Sequence, residues 1–260
     1  MTRGAREESE TGYYHIMMRG NNREMIFNQS EEKQYFMEQL QHEADKKKIS
    51  IVAYCLMDNH VHILIHADLQ TMTEVIKSIN IKFARKYNQK YNRVGHVFQD
   101  RYKSEVINTE EYLLEAIRYI HNNPVKAKMV SKPSDYHWSS YRSYTGKECK
   151  IISPEEKYMM MDLFSGSIEE FKKFHLQDDT KEFLEIQEDL EIQREEKAQK
   201  IIAEYCKQYN IVEAKELNNR KDALEEVVIE LINTSNLSHR RISELTGTTR
   251  GTVHRIAKKL

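Results

Sequence analysis

The chain has 260 residues, 39% of them apolar and 31% charged, with eight glycines and three prolines. That composition supports one or two sizeable cores built from long regular elements and argues against an all-β scaffold strung on tight turns. A formal net charge of −1 gives no bulk attraction to nucleic acid, but the charge is uneven, at +3 over residues 1–146, −6 over 147–200 and +2 over 201–260.

The three cysteines, Cys55, Cys149 and Cys206, are far apart and odd in number. This pattern favours neither a disulfide framework nor a cysteine zinc site and fits a reducing cytoplasm. No apolar signal core opens the sequence, and no run approaches the ~18 apolar residues of a membrane span. The expectation is a soluble, cytoplasmic protein with no membrane partner.

In chain order, Tyr13–Arg19 (YYHIMMR) reads as a strand and Gly20-Asn21-Asn22 as a turn. Ser30 is placed as the N-cap of a helix in which Tyr35, Phe36, Leu40 and Ala44 recur at helical spacing, up to the basic run Lys46–Lys48. Ile49–Met57 is a second strand, Asp58-Asn59 a tight connection and His60–His66 a third strand, a hairpin pattern. Thr71 or Thr73 opens a helix with Val75, Ile76, Ile79, Phe83 and Tyr87 on one side. A polar loop then runs to about Lys103, with a short strand at Glu105–Asn108. Thr109 caps a helix over Tyr112–Asn122, which Pro124 is expected to stop. The order β-α-β-β-α-β is the ferredoxin-like, split-βαβ plan. It predicts an α+β domain over residues 1–146, with an antiparallel sheet carrying its helices on one face.

Residues 147–200 read as an acidic helical linker, low in aromatics after Phe183 and without Gly or Pro after Gly166. Residues 201–260 read as an all-α helix-turn-helix domain. Asp222 caps a helix through Leu224, Val227, Val228, Leu231 and Ile232, and Leu237-Ser238 opens a short helix over Arg240–Leu245. Thr246-Gly247-Thr248-Thr249 is the turn, and a last helix runs Arg250–Leu260 with Val253, Ile256 and Leu260 apolar. From Ser238 to Leu260, Arg240, Arg241, Arg250, Arg255, Lys258 and Lys259 stand against one acid, Glu244.

The chemistry centres on His60-Val61-His62. On a strand, residues i and i+2 share a face, so two imidazoles stand side by side as a metal chelate would require. Alone, an H-x-H pair is more often structural, and catalysis needs a third ligand and open coordination positions. His66 shares the face, but the rise of ~13 Å along the strand takes it to the rim. Tyr119 and Asn123 stand at i and i+4 and share a helix face. Asn122 is the i+3 alternative, because Pro124 biases Asn123 away from helical dihedrals. Residues 77–103 add Lys77, Lys82, Arg85, Lys86, Lys90, Arg93, Arg101 and Lys103 against Asp100 alone, with Tyr87, Tyr91 and Phe98 interleaved. Basic and aromatic side chains together bind phosphates and stack unpaired bases. Arg250, Thr252 and Arg255, near the start of the last helix, are candidate contacts to duplex DNA.

These segments resemble the single-tyrosine HUH transposases, in particular the REP-associated tyrosine transposase group. The matching stretches are Tyr14-His15-Ile16 through Arg19-Gly20-Asn21-Asn22, then Met57 and Asn59-His60-Val61-His62-Ile63-Leu64. Gly95-His96-Val97-Phe98-Gln99 with Arg101-Tyr102 follows, then Tyr119 with Asn123-Pro124-Val125 and Ala127, and Asp135-Tyr136 with Trp138-Ser139-Ser140-Tyr141. They run in the family's order over roughly residues 12–145.

The resemblance implies Tyr119 as nucleophile, with His60, His62 and Asn123 as ligands of Mg²⁺ or Mn²⁺. It also implies single-stranded hairpin DNA as substrate, cleaved and rejoined through a 5′-phosphotyrosine, with Lys82, Arg85, Lys86, Arg93, Arg101 and Lys103 in the grip. Both a homodimer and a monomer remain open. Chemically, a phenol of ordinary pKa near 10 is a poor nucleophile at neutral pH, and Lewis-acid charge nearby eases its deprotonation. Storage of the bond as a phosphotyrosine removes the need for a nucleotide motif, and no GxxxxGK[ST] occurs. Two other readings compete: a domesticated DNA-binding regulator that keeps the fold without transposition, and a metal phosphoesterase using activated water.

Overall fold

The computed structural model describes residues 6–46, 48–147, 150–177, 184–209, 211 and 214–258. Lys47, Cys149, Phe183, Lys259 and Leu260, which figure in the sequence reading, lie outside them. The chain divides into two compact units, residues 1–184 and 185–260.

The first unit opens with β1 (Tyr13–Arg19), α1 (Ser30–Asp45), β2 (Ser50–Leu56), β3 (His60–His66), α2 (Leu69–Lys90), β4 (Lys103–Ile107) and α3 (Glu110–Lys126). The four strands form one antiparallel sheet in the order β2-β3-β1-β4, the ferredoxin-like arrangement expected from the element order. The helices, however, cover both faces rather than one. β1 and β3 are buried at both parities, Ile16, Val61, Ile63 and Ile65 on one face and His15, Met17, His62 and Leu64 on the other. A sheet of that kind needs cover on each side. α3 lies over the face of His15 and His62. α1 and α2 pack on each other, with Phe27, Phe36 and Phe83 in mutual ring contact, over the other face.

Three helix ends differ from expectation. Ser30 is the first residue of α1 rather than its cap, which is Gln29. α2 starts at Asp68, whose Oδ1 accepts the Thr71 N–H at 2.8 Å; a carboxylate outcompetes a hydroxyl for that role. Thr109 does cap α3, accepting from Tyr112 N, but Pro124 lies inside α3 instead of ending it. A proline this near the C-terminus forfeits only its own N–H bond, and the last turn closes behind it with Ala127 N–H donating to Asn123 O at 2.9 Å. Asn123 therefore keeps its place one turn beyond Tyr119.

The acidic stretch after residue 146 is not one linker. α4 (Tyr141–Tyr144), α5 (Pro154–Asp162) and α6 (Ile168–Phe174) complete the first unit. Phe171 is fully buried, with its ring stacked on Tyr144 at 5.2 Å. Glu156 accepts the Tyr13 hydroxyl at 2.8 Å and pairs with His66 Nδ1 at 2.5 Å. His66 thus ties α5 to the sheet, away from the His60–His62 pair. The sequence held the signals: Ser153-Pro154-Glu155-Glu156 and Ser167-Ile168-Glu169-Glu170 are helix-start signatures, and each serine does cap. Acid count masked them.

The second unit contains α7 from residue 185 onward (Leu184–Gln208), α8 (Lys221–Thr234), α9 (His239–Thr246) and α10 (Arg250–Ala257). Its core includes Ala198, Leu217, Val227, Leu231, Ile242 and Val253. Arg220, not Asp222, occupies the cap of α8. Ser238 caps α9 and Thr249 caps α10, each accepting from the N–H three residues on. Between them Gly247 ends α9 at φ +69°, and a Cβ there would sit 2.7 Å from Lys215 Cγ. Gly247→Ala is expected to destabilise this unit by ~1–2 kcal/mol through the positive φ and the close approach, read from urea unfolding of the full chain. Unchanged stability would show that the turn relaxes.

Candidate active site

β3 puts His60 and His62 on one face, with ring centroids 5.1 Å apart and planes at 82°. Register adds neighbours on that face: Arg19 opposite His60, Met17 opposite His62, and on β4 Lys103 opposite Met17 and Glu105 opposite His15. His62 is fully buried and His60 is 7% exposed. His60 Nδ1 meets Asn59 Oδ1 at 2.6 Å. An amide oxygen only accepts, so Nδ1 carries the proton and Nε2 the lone pair.

His62 Nδ1 lies 2.9 Å from His15 Nε2, with the two rings stacked. His15 Nδ1 in turn is 3.8 Å from Glu105 Oε2, an ion-pair distance across adjacent strands. When Nδ1 of His62 is the donor in the His15 contact, its Nε2 is left with the lone pair, the arrangement by which outer hydrogen bonds prepare ligand imidazoles. His15 and Glu105 were not assigned a role from sequence. The only signal was a lone histidine within the apolar run YYHIMM; its partner lies 47 residues away and needs the strand register.

α3 brings Tyr119 onto this cluster. Its ring is 1% exposed and stands edge-on to His62 at 5.4 Å and to His15 at 5.9 Å. Lys126 Nζ lies 4.7 Å from the centre of the same ring. Asn123, one turn on, is buried and shares the Tyr119 face by helical spacing. Asn122 turns elsewhere: its Nδ2 donates to His175 O at 2.8 Å. Among the described residues no three His, Cys, Asp or Glu side chains form a metal-binding group. Two imidazoles and the Asn123 carboxamide would offer a mixed N/O donor set of the kind a divalent cation takes.

The basic arm is less available than its sequence suggests. Lys82 pairs with Glu43 at 3.3 Å, Lys90 with Glu31 and Glu32 at 2.6 Å, and Arg93 with Glu24 at 2.7 Å. Lys86 Nζ sits 3.7 Å from the Tyr35 ring centroid. Burial works against the Glu43 carboxylate, yet Lys46 and Lys82 hold it below the usual carboxylate range. The neutralising acids belong to α1 and its approach, 40 to 70 residues away in the chain, where a local charge count misses them. Arg85 and Arg101 are exposed and make no ion pair among the described residues, while Lys103 stays on the His62 face.

In the second unit Arg240 and Arg241 are tied to Glu244, and Arg241 also to Glu195. Arg250 and Arg255 are exposed without an ion pair among the described residues, and the Thr252 hydroxyl pairs with that of Thr249 at 2.9 Å. No described helix is long and apolar enough to cross a membrane.

Residues 8–123 match the family described as Transposase IS200 like, just under half of the chain. No curated protein matches. Among solved structures, a REP-associated tyrosine transposase bound to a REP hairpin aligns at 15% identity and TM-score 0.48, covering 71% of this chain and 96% of its own. A protein assigned as a transposase from Deinococcus radiodurans R1 aligns at 19% identity and TM-score 0.32, covering 47% of this chain and 95% of its own. The matched residues 8–123 hold His60, His62, Tyr119 and Asn123.

Proposed function

We propose that this protein is a transposase of the IS200-like kind, which cleaves and rejoins single-stranded DNA at hairpin-bearing elements through a 5′-phosphotyrosine on Tyr119. One observation carries the reading: the Tyr119 ring meets the His62 ring at 5.4 Å in a buried cluster that also holds His60. His60, His62 and Asn123 would hold Mg²⁺ or Mn²⁺. When bound, such an ion supplies Lewis-acid charge at the scissile phosphate.

The phenolic oxygen of Tyr119 attacks phosphorus, so a Tyr–O–P bond forms and the P–O3′ bond breaks. The phenolic proton leaves to solvent and the released O3′ takes one up as a hydroxyl. That hydroxyl can later reverse the step on the same or another strand, since the phosphotyrosine preserves the bond energy. Lys126 offsets the phenolate charge from above the ring, and Arg19 and Lys103 add cationic character to the same sheet face.

Incubation with labelled hairpin single-stranded DNA and Mn²⁺ should give a covalent adduct on a denaturing gel. Absence of an adduct on every hairpin tried would move the assignment to a DNA-binding regulator. In either case the second unit binds duplex DNA through α10. Replacing Arg250 and Arg255 together with Ala is expected to weaken duplex binding across sequences and lower the slope of log K against log salt by about 2. An unchanged slope would remove α10 from the interface.

A further inference from the structure

We propose that His175, directly after α6, is a positioning residue for Tyr119, fixing the rotation of α3 through a buried chain that runs His175–His121–Ser140. This rests on Tyr119 being the nucleophile. His175 and Ser140 lie beyond the 8–123 segment that matches the family, and His121 lies within it.

Residue 121 projects about 200° around the helix from residue 119, so it grips α3 from behind the reactive face. His121 and Ser140 are fully buried and His175 is 4% exposed. His175 Nδ1 is 2.8 Å from Phe171 O, and a carbonyl only accepts, so Nδ1 bears the proton. His175 Nε2 faces His121 Nδ1 at 2.9 Å, and His121 Nε2 faces the Ser140 hydroxyl at 2.8 Å.

The first direction then follows. With the His175 proton on Nδ1, its Nε2 accepts from His121 Nδ1; the Ser140 hydroxyl faces both His121 Nε2 at 2.8 Å and Tyr54 O at 3.2 Å, and Ser140 Oγ accepts the Tyr54 N–H at 2.9 Å. One hydrogen-bonded path links α6, α3 and β2, and Asn122 adds a second tie at His175 O. Phe171, Tyr141 and Tyr144 close around the imidazoles. Apolar packing alone would allow α3 to settle at several rotations. Satisfied, directional polar contacts select one. A displacement of ~1 Å at the nucleophile is enough to cost about 10²-fold in rate.

The test compares wild type, His175→Leu, His175→Asn and His175→Gln on hairpin single-stranded DNA with Mn²⁺. Hairpin affinity and single-turnover cleavage are measured for each, with Tyr119→Phe in parallel. His175→Leu should lose about 10- to 100-fold in cleavage with hairpin affinity within about twofold. His175→Gln, whose side-chain carbonyl can accept the His121 proton, should recover to within about threefold of wild type.

Should His175→Leu fail to fold, His175→Asn carries the same expectation, since it keeps a donor toward Phe171 and is too short for His121. Wild-type cleavage in His175→Asn, or no recovery in His175→Gln, would overturn the proposal while Tyr119→Phe remains inactive. A Tyr119→Phe protein that still forms the adduct would instead overturn the nucleophile reading, and this proposal with it.

Discussion

Tyr119→Phe is expected to abolish the covalent protein–DNA adduct and to reduce hairpin cleavage by about 10⁴-fold or more. The substitution removes one oxygen and leaves the ring, which keeps its edge-on contacts with His62 and His15. Loss of a hydroxyl from so buried a position should cost about 1 kcal/mol of stability, too little to unfold the domain. The experiment therefore separates chemistry from folding. It also separates two reaction types. Were an activated water the nucleophile, cleavage would survive in Tyr119→Phe and release free 5′-phosphate ends. A persistent adduct would mean that another side chain attacks.

Periodicity made the central pieces of this site legible before any coordinates. A two-residue period put His60 and His62 together, and a four-residue helical step put Asn123 beside Tyr119. Both depend only on local geometry; the imidazoles stand 5.1 Å apart on β3, and Tyr119 and Asn123 both lie within α3. What escaped the sequence depends on distant partners. His15 reaches His62 only through strand register. Lys82, Lys90 and Arg93 looked like free phosphate ligands because their acids lie on α1 and the loop before it. Pro124 was weighed as a helix stop when only one backbone bond was at stake. The α5–α6 segment was read from its charge, although its capping serines and the aromatic series Phe164, Phe171 and Phe174 called for packed helices. The first two misses are tertiary contacts that no local count contains, and the last two are local signals given too little weight.

The metal assignment makes the other large prediction, and His60 is the cleaner place to test it. His62 is wedged between His15 and Tyr119, so truncating it opens a cavity beside the nucleophile and confounds ligand loss with misplacement. His60 stands nearer the surface, with its Nδ1 held by Asn59 Oδ1. His60→Ala should weaken Mn²⁺ binding to the DNA-free protein by about 10²-fold or more and cut cleavage by about 10³-fold, with hairpin binding kept. Asn59→Ala should give a smaller loss of Mn²⁺ affinity, about 10-fold, because it frees the imidazole to turn without removing its nitrogen. Titration of Mn²⁺ by calorimetry or by its free-ion spin-resonance signal reads both variants without reference to activity. Unchanged Mn²⁺ affinity in His60→Ala would make the pair structural. A graded loss, with His60→Ala larger than Asn59→Ala, is what a ligand held in one tautomer by its neighbour requires.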